Sequence, residues 1–306
     1  MATTPQPLPL PAASVSRSRS GVRILLAEDN EINRIVATKM LEKLGYPCEV
    51  VENGKLAVES VSRERYDLVL MDCEMPEMDG LTATRNIRLR ESKLASDGQE
   101  PRHVPIIALT AHAGQEDREA GLAAGMDAYL SKPIELPALD KIIRETLDHQ
   151  AAPSEPEPNR PAAPPAPAAS AASPPAPVAA AGELPIDTQS LLRRCMGKPI
   201  LAAELLDCFA TSAKNTLTVL EQHLDAENSD SFARAAHTLK GSALSMSADG
   251  VRRCALRLEE LGRQGCFEEA RRELANLAVE VQRCLAFLPQ AKEALSAVNT
   301  GTIGQS

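Results

Sequence analysis

Three carboxylates, one hydroxyl and one ammonium stand at comparable places in the first half of this chain. Glu28 and Asp29 follow an apolar run, Asp72 ends the run Leu68-Val-Leu-Met71, and Thr110 and Lys132 close two later runs of the same kind. The run before Asp72 reads as a strand buried on both faces. A parallel strand of that type presents its terminal side chain at the carboxyl edge of the sheet, where open α/β sheets bind ligands. If the runs are parallel, all five polar groups meet in one crevice. Carboxylates clustered so closely repel unless a cation joins them, and hard oxygen ligands with room for water suit Mg2+, which also neutralises a phosphoryl group in transfer. Thr110 and Lys132 then offer phosphoryl oxygens a hydrogen bond and a positive charge, and Asp72, nearest the strand tip, is the natural nucleophile. Taken singly, each residue has a plainer reading: Glu28 or Asp29 as a helix cap, Thr110 as a strand end, Tyr129 as a half-buried strand residue.

A second constellation lies far down the chain. The segment from Phe232 to Met246 carries an apolar stripe at 232, 236, 239, 243 and 246. His237 points away from that stripe at 100° per residue, with Lys240 one turn on and Gly241 beside it, so a solvated histidine face is expected. Lys240 is suited to pair with a phosphoryl group on the imidazole, while Gly241 removes bulk and lets another domain approach. A mid-helix glycine costs about 1 kcal/mol relative to alanine, which fits a functional role better than a packing one. The histidines at 103, 112, 149 and 223 have no such setting and read as surface or loop residues, although His112, like Glu74, flanks the first site.

The elements that must position these groups fall into two patterns. Between residues 22 and 148, five short β-type runs alternate with five helical patterns, which implies a parallel sheet covered on both faces. From about 186 to 288 only helical periodicity remains, broken at Gly197-Lys-Pro199, Asn228-Ser229-Asp230, Ser247 and Gly265, as in a helical bundle. Residues 151–183 are almost entirely Pro, Ala and Ser and bury too little apolar surface to order themselves. The expected layout is a disordered tail at 1–20, an α/β domain at 21–149, a disordered Pro/Ala linker at 150–184, an all-α four-helix bundle at 185–289 and a second disordered tail at 290–306. An extended linker would reach on the order of 100 Å at about 3.1 Å per residue.

Residue by residue, the first region resembles the receiver domain of response regulators. The match rests on Ala27-Glu28-Asp29-Asn30, Met71-Asp72 with Met75-Pro76 and Asp79-Gly80, Ala108-Leu-Thr110-Ala, and Ser131-Lys132-Pro133. The resemblance implies a flavodoxin-like five-stranded fold, Asp72 as phosphoacceptor, and Glu28, Asp29, Asp72 and the Glu74 backbone carbonyl as ligands of Mg2+. It further implies Thr110 and Tyr129 as switch residues, Lys132 as the phosphate-binding ammonium and a cis peptide before Pro133. The second region resembles a histidine-phosphotransfer domain through Ala236-His237-Thr-Leu239-Lys240-Gly241-Ser, with Leu205 to Phe209 upstream and Arg257-Leu-Glu259-Glu-Leu downstream. That likeness implies His237 as a second phosphoacceptor, supported by Lys240. Ser247-Ala248 departs from the family, whose members often carry a glycine there.

Composition narrows the function classes. A net charge of −9 leaves no basic footprint and argues against nucleic acid as the main partner. The seven cysteines are odd in number and without a CxxC pair, as expected of reduced thiols in the cytoplasm. No apolar run approaches the roughly 20 residues of a spanning helix, and residues 1–20 lack a signal-peptide core. No P-loop or glycine-rich nucleotide signature is present, so self-phosphorylation from ATP is not expected, and the layout resembles the carboxyl-terminal part of a hybrid sensor kinase; Met1 and the leading tail favour a complete protein over a detached piece. The combined expectation is a phosphorelay protein that takes phosphoryl from an upstream sensor histidine kinase on Asp72 and passes it through His237 to or from another receiver. A phosphate sink running in reverse and a non-catalytic interaction module are the alternatives.

Overall fold

The computed structural model describes residues 21–97, 103–111, 114–151 and 184–301. His112, the 1–20 tail and all but the ends of the 150–184 linker lie outside the described residues. Five strands, β1 (Ile24–Ala27), β2 (Cys48–Val51), β3 (Leu68–Asp72), β4 (Ile106–Thr110) and β5 (Ala128–Ser131), form one parallel sheet in the order β2-β1-β3-β4-β5. This is the flavodoxin-like order, in which the chain reverses direction across the sheet between β1 and β3. The three inner strands are buried along their whole length, while the edge strands β2 and β5 are only partly covered. That difference explains why the inner runs are continuously apolar. Alternate side chains feed two cores: Ile24 and Leu26 face α1 (Glu31–Leu44) and α5 (Leu136–Ala151), while Leu25 and Ala27 face α2 (Gly54–Arg63) and α3 (Gly80–Ser96). The α4 helix (Gln115–Ala124) completes the set and stops at Gly125 in the left-handed conformation.

Register fixes the functional edge. Ala27 pairs with Met71, Asp72 with Leu109 and Thr110 with Ser131, so the residues that follow or end β1, β3, β4 and β5 emerge side by side. Asn30 and Asp79 then start α1 and α3 by accepting hydrogen bonds from backbone N–H groups of the first turn, which pins the loops around the crevice. Gly80 is required there: a Cβ would lie 2.0 Å from the Asp72 carbonyl oxygen.

The second domain holds α6 (Thr188–Arg194), α7 (Pro199–Asp225), α8 (Ser229–Ser245), α9 (Asp249–Gln264) and α10 (Phe267–Gly301). Phe209 and Phe232 anchor its core, and Gly262 lets α9 approach α8, since a Cβ would meet Phe232 at 2.7 Å. The departure at Ser247 has a visible consequence: its φ is 56°, a left-handed turn that glycine adopts more readily. One expectation is corrected. The tail placed at 290–306 is helical as far as Gly301, because α10 continues through Pro289 and buries Ala291 and Leu295 one turn apart. Proline removes one helical hydrogen bond, but apolar burial on the far side keeps the helix going.

The bundle does not stand clear of the α/β domain. Buried side chains of α1, among them Ile32 and Val36, belong to the same apolar cluster as the bundle core, with α1 packed against α7 and α8. Truncation after Pro289 removes Ala291 and Leu295, and the bundle is expected to lose about 2–5 kcal/mol, the range for emptying a leucine site. Urea unfolding followed by circular dichroism checks this; an unchanged midpoint would show that the last turns of α10 contribute nothing.

Candidate functional site

At the carboxyl edge of the sheet, Glu28, Asp29 and Asp72 each place a carboxylate oxygen within 4.8 Å of the others. Lys132 lies among them, its Nζ 2.6 Å from Asp72 Oδ2 and 2.7 Å from Glu28 Oε2. Glu28 and Asp72 are almost inaccessible to solvent, as is Thr110. Arg34 donates to the carbonyl oxygens of Glu28 and Asp29, at 3.3 and 2.6 Å, and so holds the loop that carries both acids. The Lys132-Pro133 peptide is cis, as the resemblance implied.

Charge shows what this arrangement lacks. Three carboxylates face one ammonium, an imbalance of two negative charges when all are ionised. The imbalance appears in the acids themselves: burial and the charge of Glu28 push the Asp72 carboxyl well above its ordinary value, against the pull of Lys132. Burial and Glu28 likewise push Asp29 up to about 6. Lys132 is raised as well: burial disfavours its charge, but the Asp72 and Glu28 carboxylates outweigh that and hold the ammonium protonated. Oxygen donors short of two positive charges fit a hard divalent cation such as Mg2+, with Glu28, Asp29 and Asp72 as its side-chain ligands.

A second cluster faces this one from the bundle. Among the described residues, Asp72, Thr110, Lys132 and His237 line a single cavity of about 120 Å3, room for several waters or a phosphoryl group. His237 Nδ1 lies 3.0 Å from Glu259 Oε1 and 3.1 Å from Glu74 Oε2. An ionised carboxylate only accepts, so Nδ1 carries a proton, and in the neutral ring Nε2 then holds the lone pair. Glu259 is ionised because hydrogen bonds from His237 and Lys240 overcome its burial and hold its carboxyl down to about 2. Arg263 donates to Glu259 Oε1 at 2.7 Å and to Glu74 Oε2 at 3.2 Å. Glu74, His237 and Glu259 have the types and closeness of metal ligands, yet here two carboxylates already meet two cations, Lys240 and Arg263. The charges balance without an ion.

Several sequence expectations change in detail. His237 is not on a solvated face: its side chain is 18% exposed, because Glu74 of the first domain covers it. Lys240 is buried and sits 2.7 Å from Glu259 Oε2, since α9 packs across that side of α8; its ammonium is directed at the carboxylate and not outward. Gly241 does face the other domain, with Asn33 Nδ2 3.6 Å and Asn30 Nδ2 3.7 Å from where a Cβ would stand. A methyl group fits at that separation, and a larger side chain meets the two amides. Tyr129 lies away from the cavity and donates from its hydroxyl to the Arg118 carbonyl at 2.9 Å on α4. Glu259 and Arg263 were invisible as site residues, as were Asn30, which donates to the Thr238 carbonyl at 2.9 Å and Ser242 Oγ at 2.7 Å, and Asn33, which accepts from Ser245 Oγ at 2.6 Å.

Comparison with known proteins matches residues 24–144 to the response regulator receiver domain and residues 204–299 to the Hpt domain. The sensor protein GacS of Pseudomonas syringae pv. syringae is 30% identical over 262 residues, covering 85% of this chain and 27% of its own length. The aerobic respiration control sensor protein ArcB of Escherichia coli K12 is 33% identical over 248 residues, covering 79% of this chain and 27% of its own. The chain therefore spans about a quarter of the length of these relatives. Among solved structures, the receiver domain of a sensor histidine kinase from Pseudomonas aeruginosa PAO1, with magnesium ion coordinated in its active site cleft, is 47% identical over 41% of this chain and 97% of that one, with a TM-score of 0.36.

The raised Asp29 carboxyl carries a pH dependence. Between about 4 and 6 the folded chain binds a proton at Asp29 that the unfolded chain has released, so this group's contribution to stability is present at low pH and is lost as pH rises through about 6. A cation ligated by Asp29 must displace that proton. Mg2+ affinity is therefore expected to fall as pH drops from 7 to 5, with proton release on binding at pH 6 read as a buffer-dependent heat in calorimetry. Asp29→Asn should reduce the buffer dependence to the share left by Asp72, whose carboxyl is raised too; an undiminished heat in this variant would show that Asp29 does not release a proton on binding.

Proposed function

We propose that this chain, which joins a response regulator receiver domain to an Hpt domain, is a phosphorelay protein of two-component signalling in which Asp72 and His237 exchange a phosphoryl group directly. The observation that carries this reading is the shared cavity: the two acceptor side chains line one small space together with Thr110 and Lys132. Asp72 attacks the phosphorus of a phosphohistidine on an upstream sensor histidine kinase; the P–N bond breaks and an acyl phosphate forms. In the second step the Nε2 lone pair of His237 attacks that phosphorus, the P–O bond to Asp72 breaks, and the carboxylate is regenerated. The proton on Nδ1 stays in place, and Glu259 faces the positive charge that develops on the phosphorylated ring. His237 then passes the group to the aspartate of a separate receiver.

The residues have separable tasks. Lys132 neutralises the oxygens gathered around phosphorus, and Thr110 donates a hydrogen bond to one of them. Glu28, Asp29 and Asp72 would hold Mg2+, which when bound supplies positive charge to the phosphoryl oxygens. In this conformation Lys240 and Arg263 keep Glu259 ionised and oriented, and so act through it on the histidine ring. Thr110 ends β4 and Tyr129 lies on the neighbouring β5 two register positions back, a pair suited to report the state of Asp72 along the α4 side.

Partners follow from the chemistry: a phosphohistidine donor upstream and a receiver aspartate downstream. No helix among the described residues is long and apolar enough to cross a membrane. The seven free cysteines support a cytoplasmic setting. Labelled acetyl phosphate tests the reading. Label is expected on both residues of the unaltered chain, on Asp72 alone in His237→Ala, and on neither in Asp72→Ala. Label on neither residue of the unaltered chain would overturn the relay, and label that reaches only Asp72 and is lost to water would favour a phosphate sink.

A further inference from the structure

Asn33 is gripped from two sides. Within the receiver domain its Nδ2 donates to Glu28 Oε1 at 2.9 Å, and across the interface its Oδ1 accepts from Ser245 Oγ at 2.6 Å. The assignment of the amide is forced: a carboxylate only accepts, so the nitrogen must face Glu28 and the oxygen is left for the serine hydroxyl. Asn33 is 7% exposed, in the first turn of α1. Ser245 is the last residue of α8, the helix that carries His237.

Glu28 is thus fixed through both oxygens. Oε2 is held by Lys132, inside the phosphoryl site, and Oε1 by an amide whose own orientation is set from the bundle. The neighbouring Asn30 also crosses the interface, but its Oδ1 is occupied by the N–H groups of Ile32 and Asn33 and it donates only to α8. Among the described residues, the Asn33 side chain is hydrogen bonded both to Glu28 and to the histidine bundle; Glu74 also spans the two, its N–H on Asp72 Oδ1 at 3.4 Å and its carboxylate accepting from Arg263 at 3.2 Å, but it does not touch Glu28.

We infer that Asn33 is a positioning residue through which docking of the histidine bundle sets the geometry of the Glu28 carboxylate, so that the Mg2+ site tightens when α8 is seated with a hydroxyl at Ser245. The inference rests on the reading that Glu28 and Asp29 hold the cation. When α8 leaves, the Asn33 amide loses its Oδ1 partner and can turn, and Glu28 loses a fixed donor. The same contact then discriminates among bundles: one that lacks a hydroxyl donor at this point docks without completing the acid site.

Calorimetric Mg2+ titration of the full chain tests this, together with the first-order rate of label movement from Asp72 to His237 across a range of Mg2+ concentrations. Ser245→Ala is expected to weaken Mg2+ binding about fivefold, the order of one uncharged hydrogen bond, and Ser245→Thr to restore it. The transfer rate in Ser245→Ala should recover at saturating Mg2+, a shift in metal requirement that a defect in folding would not produce. Asn33→Ala should weaken binding at least as much, and the double variant no further than Asn33→Ala alone. Ser242→Ala removes an interface hydroxyl that touches Asn30 and not Asn33, and should leave Mg2+ affinity as it is. Unaltered affinity in Ser245→Ala, additive losses in the double variant, or an equal loss in Ser242→Ala would each overturn the inference. An unaltered chain that binds no Mg2+ would remove the reading beneath it.

Discussion

A buried ammonium between two buried carboxylates is the contact on which the rest of this structure depends. Lys132 touches both Asp72 and Glu28, and none of the three would remain charged in that place alone. Desolvation makes the pairing strict: one cation among three acids leaves two charges unmatched, and the mismatch shows as protons drawn toward Asp29 and Asp72. Such a site is poised to accept positive charge and then an anionic group. The parallel sheet serves this by bringing the ends of β1, β3, β4 and β5 to one edge in register.

The bundle solves the complementary problem with the same materials. Around His237, Glu259 and Glu74 are matched by Lys240 and Arg263, so the imidazole sits in a balanced environment with its Nδ1 proton held and Nε2 available. An unbalanced site beside a balanced one gives a direction to the chemistry of each. The acid site gathers the cation and the phosphoryl oxygens, and the histidine site offers a ring that, in its neutral form, is a nucleophile whose developing charge faces Glu259. Docking through Asn30, Asn33 and the apolar face of α1 brings them to one cavity.

Much of the α/β domain was legible because each clue is local. A run that is apolar at every position and ends on a charged or hydroxylated residue announces both a buried strand and its functional tip, as at Asp72 and Thr110. His237 was legible for a related reason, since its angle to the apolar stripe of α8 is fixed by helix geometry. What stayed hidden depends on elements distant in sequence. Nothing near Glu259 says that α9 crosses α8 beside His237, and nothing near Lys240 says that its ammonium is buried against that acid. Asn33 and Ser245, 212 residues apart, could be joined only by the folded chain. The boundary placed at 289 failed in the opposite sense: α10 runs on past Pro289, a local helix breaker outweighed by Ala291 and Leu295, whose burial belongs to tertiary packing.

The central claim is that Asp72 and His237 meet within one chain. Rapid-quench kinetics over a hundredfold range of protein concentration measures it most directly, with the chain loaded on Asp72 and mixed with excess unlabelled acceptor-deficient protein. First-order appearance of phosphohistidine at a rate independent of concentration is the result this structure requires. A rate that rises in proportion to concentration would show that the two residues meet only between molecules, and would contradict the docked arrangement described here.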